Sequence, residues 1–271
     1  HEILMRPFNE ALDNEFKLFK EVGLPIVEAM NNRTKKDVKR HNTKIFIPEI
    51  KDATNDGNLM GHQIVAVALN TGNQSNLRKL LLGEKWATEE QPETVTFENK
   101  KLQAVLKHMS KSDWELVQSI WTQMELLYPQ LAEVHRKTTG LTPPKVDASP
   151  FSVTVEGQEI KMDGGYYPVK YDPARSDRAA VNQERQDAQA DSMFGDTGSI
   201  QASVNASSTN ERTGFYDSIN LSLAIVPNHF QETIHFITHH DAVRQTNKLI
   251  RNSEVKKAIK ATLGPDEYSN L

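Results

Sequence analysis

Apolar residues recur at three- and four-residue spacing along most of the chain, the pattern of helices that bury one face. The longest such run is WELVQSIWTQMELLYPQLAEVHRK, residues 114–137. Its Trp114, Leu116, Val117, Ile120, Trp121, Met124, Leu127, Tyr128, Leu131 and Val134 form a stripe too wide for one neighbour, so this helix is expected at the centre of the fold. Ser112, with Glu115 three residues on, predicts the N-terminal capping box. Pro129 predicts a kink, because its ring clashes with the carbonyl of Glu125 and it has no N–H to donate. Gly140 and Pro143-Pro144 end the run.

Around this helix the pattern predicts others. Residues 7–22 place Phe8, Leu12, Phe16 and Phe19 on one face, with Gly23 and Pro25 as the stop and a short helix following to Met30. Residues 31–44 read as a polar connector, and IFIPEI at 45–50 as an irregular apolar plug. Helices are predicted over 58–69, a shorter stretch ending at Gly83, 97–109, 228–251 and 253–263. Strict alternation at Phe151, Val153 and Val155, then Ile160 and Met162, with Glu156-Gly157 between, predicts a β-hairpin over 151–162.

The hairpin leads into GGYYPVKYDP, residues 164–173. Glycines permit close backbone approach, prolines extend the chain, and tyrosines supply amphipathic surface. Two readings stand side by side. Laid on a partner, Tyr166, Tyr167, Pro168 and Tyr171 are interaction residues. Laid on the molecule itself, which is the favoured reading, the stretch is a structural strap whose tyrosine hydroxyls reach backbone groups. Residues 175–213 are rich in Ala, Ser, Asn, Gln, Asp and Arg and carry few large apolar residues, too few to offset the entropy of ordering them. The expected plan is a helical domain over 1–173, a flexible insert over 174–213, and C-terminal helices over 214–271 packing back on the same domain. The fold class is therefore mainly α, an irregular multi-helix domain with one small β-hairpin and a disordered insert.

Composition changes this picture little. Of 271 residues, 37% are hydrophobic and 25% charged, with a mean hydropathy of −0.59, polar enough to fit the insert. The net charge of −4 gives no field driving the whole molecule to nucleic acid or membrane. With no cysteine, disulfides and thiolate metal sites are excluded. No apolar run approaches the roughly 18–20 residues of a membrane span, and no signal peptide is apparent. The chain opens on His1 with helical patterning already running by Ile3, so a piece of a longer protein is expected.

Candidate chemistry is sparse. Glu232, His235 and His239 share a helix face at three- and four-residue spacing, so one metal ion could meet them. The run HFITH has Phe236 where a zincin would carry glutamate. A metal-dependent enzyme segment using these residues is one alternative. The other is a nucleic-acid-binding module using two basic stretches, Arg33, Lys35, Lys36, Lys39 and Arg40, then Lys248, Arg251, Lys256, Lys257 and Lys260. The solvated-face reading weighs against the second, since no aromatic is interleaved with the first stretch to stack on bases. No nucleophile elbow, P-loop or dinucleotide fingerprint occurs.

Four stretches together carry a resemblance: GHQIVAVALNTGNQSNLRKLLLG (61–83), SDWELVQSIWTQMELLYPQLAEVHRKTTG (112–140), GGYYPVKYDPARS (164–176) and HFITHHDAVRQTNKLIRNSEVKKAIKATLG (235–264). The chain resembles a helical region of very large multidomain proteins of bacteriophages and prophages, among them internal virion proteins ejected into the host with the DNA. The resemblance implies a non-catalytic structural and interaction module, in the virion interior and then in the host cell. It assigns no catalytic residue and no cofactor, although the parent protein can carry enzymatic segments elsewhere. Implied partners are other virion proteins or other parts of the same polypeptide, with DNA contact and self-association as further expectations.

Overall fold

The structure, a computed structural model, describes residues 2–176 and 216–263. It is mainly α. Helix α1 (Glu2–Leu18) passes through a π-turn (Phe19–Gly23) into α2 (Leu24–Asn31), and α3 (Lys35–His41) follows. Strands β1 (Lys44–Phe46) and β2 (Asn58–Met60) pair antiparallel, Ile45 opposite Leu59. Then come α4 (Gly61–Leu69), α5 (Gln74–Gly83), α6 (Lys100–Leu106) and the long α7 (Lys111–Thr139). Strands β3 (Phe151–Val155) and β4 (Gln158–Met162) form the predicted hairpin. Beyond the strap run α8 (Ile225–Arg251) and α9 (Ser253–Leu263). Most of the expected insert lies outside the described residues.

The core sits where α4 and α7 meet. From Ile64 to Leu69 every residue of α4 is buried, as befits a helix apolar all round. Trp114 and Trp121 of α7 are each 1% exposed and flank Phe151 edge-on, with ring centroids at 5.9 and 6.2 Å. That aromatic cluster seats the hairpin on the helix. The wide stripe on α7 is used as its breadth requires: α2, α4 and α8 all pack against it.

Several expectations are corrected. The N-cap of α7 is Ser110, not Ser112, and its box partner is Asp113, not Glu115. Ser110 holds an extended backbone and its amide donates to the Asp113 carboxylate at 2.9 Å, whereas Ser112 donates its hydroxyl to Asp37 at 3.1 Å. As expected, the helix runs on past Pro129, with Leu127 and Leu131 buried on either side. Gly23 and Pro25 do not stop the first helix. The π-turn, closed by Leu24 N–H to the Phe19 carbonyl, carries the chain into α2, whose first turn tolerates a proline without N–H. The polar connector contains α3, capped by Thr34 and Asp37. The plug is real, with Ile47 and Ile50 fully buried, but β1 precedes it and β2 takes the first residues expected in α4.

The first helix turns the other way from expectation. Its buried side is Ala11 and Leu18, continued by Val22 and Ile26, whereas Leu12, Phe16 and Phe19 are exposed. Small Ala11 lets α8 approach closely, and α1 makes its main packing against α8.

Candidate functional site

Three constellations gather the chemistry-bearing side chains. The first lies where α3 meets the start of α7. Asp113 is 1% exposed. Its carboxylate lies 2.9 Å from His41 Nε2 and 2.6 Å from Arg40 Nη2, and it pairs with Arg33. Burial opposes its charge, but His41, the Ser110 amide, Arg33 and Arg40 outweigh burial and hold the carboxyl well below the usual carboxylate range. Asp37 is lowered too, first by the Thr34 hydroxyl, with burial opposing and Ser112 assisting. Arg33 and Arg40 are thus engaged inside the fold, while Lys35, Lys36 and Lys39 stay exposed. The first basic stretch therefore offers a smaller cationic surface than its composition suggests.

The second constellation is the strap. The turn between α4 and α5 receives it: Gly165 N–H donates to the Gly72 carbonyl at 2.8 Å, Asn73 donates to the Gly165 carbonyl at 3.0 Å, and Asn76 donates to the Tyr167 carbonyl at 2.7 Å. Trp121 Nε1 donates to the Leu69 carbonyl at 3.1 Å, locking the same turn to α7. A Cβ on Gly165 would come within 2.6 Å of the Trp121 side chain, and one on Gly72 within 2.5 Å. Gly164 sits at φ +75. Tyr167 and Pro168 are buried and cannot face a partner, whereas Tyr166 and Tyr171 are half-buried. The expectation that each hydroxyl reaches a backbone group fails at Tyr167. Its hydroxyl has no partner among the described residues, and burial pushes its pKa up. Beyond the strap, Arg175 pairs with the buried Glu84 at 2.9 Å and with Asp172 at 2.8 Å, and Glu84 also accepts from the Ile219 amide at 3.1 Å. Beside the strap, His229 of α8 is buried, and burial, assisted by Lys170, pushes its imidazole down to about 4.

The third constellation joins α1 to α8. His235 and His239 stack with ring centroids 4.0 Å apart and 20° between planes, as their four-residue spacing allows. Glu232 does not join them. Its carboxylate is directed to Lys170 at 3.7 Å. Glu15 of α1 comes instead, with Oε1 3.4 Å from His235 Nδ1 and Oε2 3.6 Å from His239 Nδ1. One ligand atom from each of the three residues lies within 4.8 Å of the others. Burial, then the neighbouring His235, push the His239 imidazole below its ordinary value, while Glu15 opposes them.

The second basic stretch is on the surface: Lys248, Arg251, Lys257 and Lys260 are exposed, Lys256 partly so, and Lys257 pairs with Glu254 at 3.0 Å. In comparisons with known proteins, no family model matches the chain, and no curated protein or solved structure matches it.

Sequence reasoning missed Glu15, the Asp113 cluster and the Glu84–Arg175 pair. All three join residues at least 72 positions apart. A local spacing rule has no signal for such contacts.

Proposed function

We propose that this chain is a non-catalytic interaction module of a bacteriophage internal virion protein, housed in the particle and delivered into the host cell. The resemblance of its helical stretches and strap supports the family. The observation that carries the interaction reading is an apolar stripe left on the outside of α1 and α2. Phe16 is 71% exposed, and Met5, Leu12, Phe19, Val27 and Met30 lie open beside it. Met5, Leu12 and Phe19 are seven residues apart. The step from Phe19 to Val27 is eight, because the π-turn inserts one extra residue between them. A seven-residue apolar repeat is the pattern against which a second helix packs. The occupant is therefore an amphipathic helix of another virion protein or of another part of the same polypeptide.

The test is cross-linking mass spectrometry on purified particles of the phage or induced prophage that encodes the chain. Lys17 and Lys20 are exposed beside the stripe. They are expected to cross-link to helical segments outside this chain. Absence of the chain from purified particles would overturn the reading.

A further inference from the structure

We infer that Glu15, His235 and His239 form a binding site for a divalent transition-metal ion of the zinc class, which clamps the first helix to α8. The inference is independent of the virion reading and adds a ligand to a region that reading leaves empty of chemistry.

The geometry argues against a plain ion pair. A carboxylate hydrogen-bonded to an imidazole normally closes to about 2.7–3.2 Å. Here both contacts are longer, 3.4 and 3.6 Å, and each histidine faces a different oxygen of the same carboxylate. Two imidazoles and a carboxylate thus come together, with one ligand atom from each within 4.8 Å of the others, while the His239 Nδ1 also lies 2.9 Å from the Thr238 hydroxyl. An ion held at about 2.0–2.2 Å from imidazole nitrogen and carboxylate oxygen separates its ligands by roughly 3.3 Å, so its entry would turn the stacked rings toward a common point and displace the Thr238 hydroxyl.

Donor chemistry selects the ion. Two imidazoles and one carboxylate suit zinc, cobalt, nickel or copper, whereas calcium and magnesium take oxygen ligands. The helix supplies pre-organisation, since residues four apart present both rings on one face. Burial is graded across the site: the His239 side chain is 6% exposed, Glu15 25% and His235 45%. The ion would therefore be anchored from inside and reached from outside. Three protein ligands leave a fourth position for water or for a donor from a partner. The sequence separation matters too. Glu15 and His235 are 220 residues apart, so the ion would tie the first helix to one of the last and stabilise the packed state by mass action.

The experiment uses the whole chain, free of any affinity tag, with Zn²⁺ alone as probe. Equilibrium dialysis with elemental analysis is expected to give one ion per chain. Replacement by Co²⁺ is expected to give visible absorption of low coordination number. E15Q and H235A, both at partly exposed positions and checked for helix content by circular dichroism, are expected to weaken binding more than about a hundredfold, beyond the loss of an outer-shell partner. H135A, on a histidine away from the cluster, is expected to bind as the parent does. Sub-stoichiometric zinc in the parent chain, or undiminished zinc in folded E15Q and H235A, would overturn the inference.

Discussion

Two regions of this molecule handle their apolar surface in opposite ways. Around α4, α7 and the strap, apolar groups are enclosed and the backbone is tied down by side-chain N–H donors. Asn73, Asn76 and Trp121 each donate to a named carbonyl. Along α1 and α2, the chain buries Ala11, Leu18 and Ile26 against α8 and α7 and leaves Phe16 and Phe19 in solvent. The difference teaches what each region is built for. A glycine-lined, amide-anchored strap has one arrangement. A stripe of large apolar side chains on the outside of a globular protein is costly to leave exposed, and under the proposed function it is the surface that a partner helix covers.

The comparison breaks if the anchored region proves tolerant. Its most sensitive point is Asp113. D113A would leave Arg33 without its carboxylate and Arg40 with Asp37 alone, at 3.2 Å, and remove the carboxylate half of the α7 capping box. A loss of about 3–5 kcal/mol is expected, read as a lower urea midpoint at pH 7. A loss under about 1 kcal/mol would mean that this cluster is solvated and that the two regions do not differ as described.

Next in size is an acid effect at His229, on α8 beside the strap. Its imidazole is held near 4, below the ordinary 6.5, so the folded chain keeps it neutral while the unfolded chain protonates it first. The stability it protects is complete above about pH 6.5 and falls as pH drops toward 4. The expected loss over that window is about 3 kcal/mol, measured by urea unfolding at a series of pH values. Below the window, Asp37 and Asp113 add a further loss as their depressed carboxyls protonate. H229Q is expected to flatten the slope between pH 6.5 and 4 while leaving the lower limb in place.

G165A sharpens the strap half of the comparison. The new methyl would press on Trp121 at 2.6 Å. Overpacking of that kind costs about 1–3 kcal/mol, and a thermal melt checks it.

How far the sequence disclosed these regions follows the same division. Periodicity located the helices because burying one face imposes its period locally. Glu156-Gly157 disclosed the hairpin because both residues need a positive φ there, +50 and +79. Which face of α1 turns inward was not legible. Phe16 and Ala11 compete for the core, and the winner depends on how closely α8 can approach, which is a property of residues more than two hundred positions away. Of the candidate site, the helix spacing disclosed the His235–His239 pair. It chose the wrong carboxylate, because Glu232 shares the helix while Glu15 arrives from elsewhere. The cap of α7 shows the converse, a local error. Ser110-Asp113 and Ser112-Glu115 both fit a capping box by spacing, and the choice fell to Asp113 because Arg33, Arg40 and His41 were waiting for its charge.

The smallest expected effect tests the open half. Phe16 touches solvent more than protein, so F16S removes little buried area and is expected to shift stability by no more than about 0.5 kcal/mol. Serine and phenylalanine have about the same helix propensity. Yet Phe16 lies in the middle of the exposed stripe, where a packed helix would take most of its contact from one large ring. The expected outcome is therefore a dissociation of two readouts: an unchanged urea midpoint for the isolated chain, and loss of the Lys17 and Lys20 cross-links when the variant is carried in the particle. A large stability loss on F16S would show that the ring is part of the core after all. Equal cross-linking in variant and parent would show that the stripe is bare surface, and the contrast between the two regions would then rest on the anchored side alone.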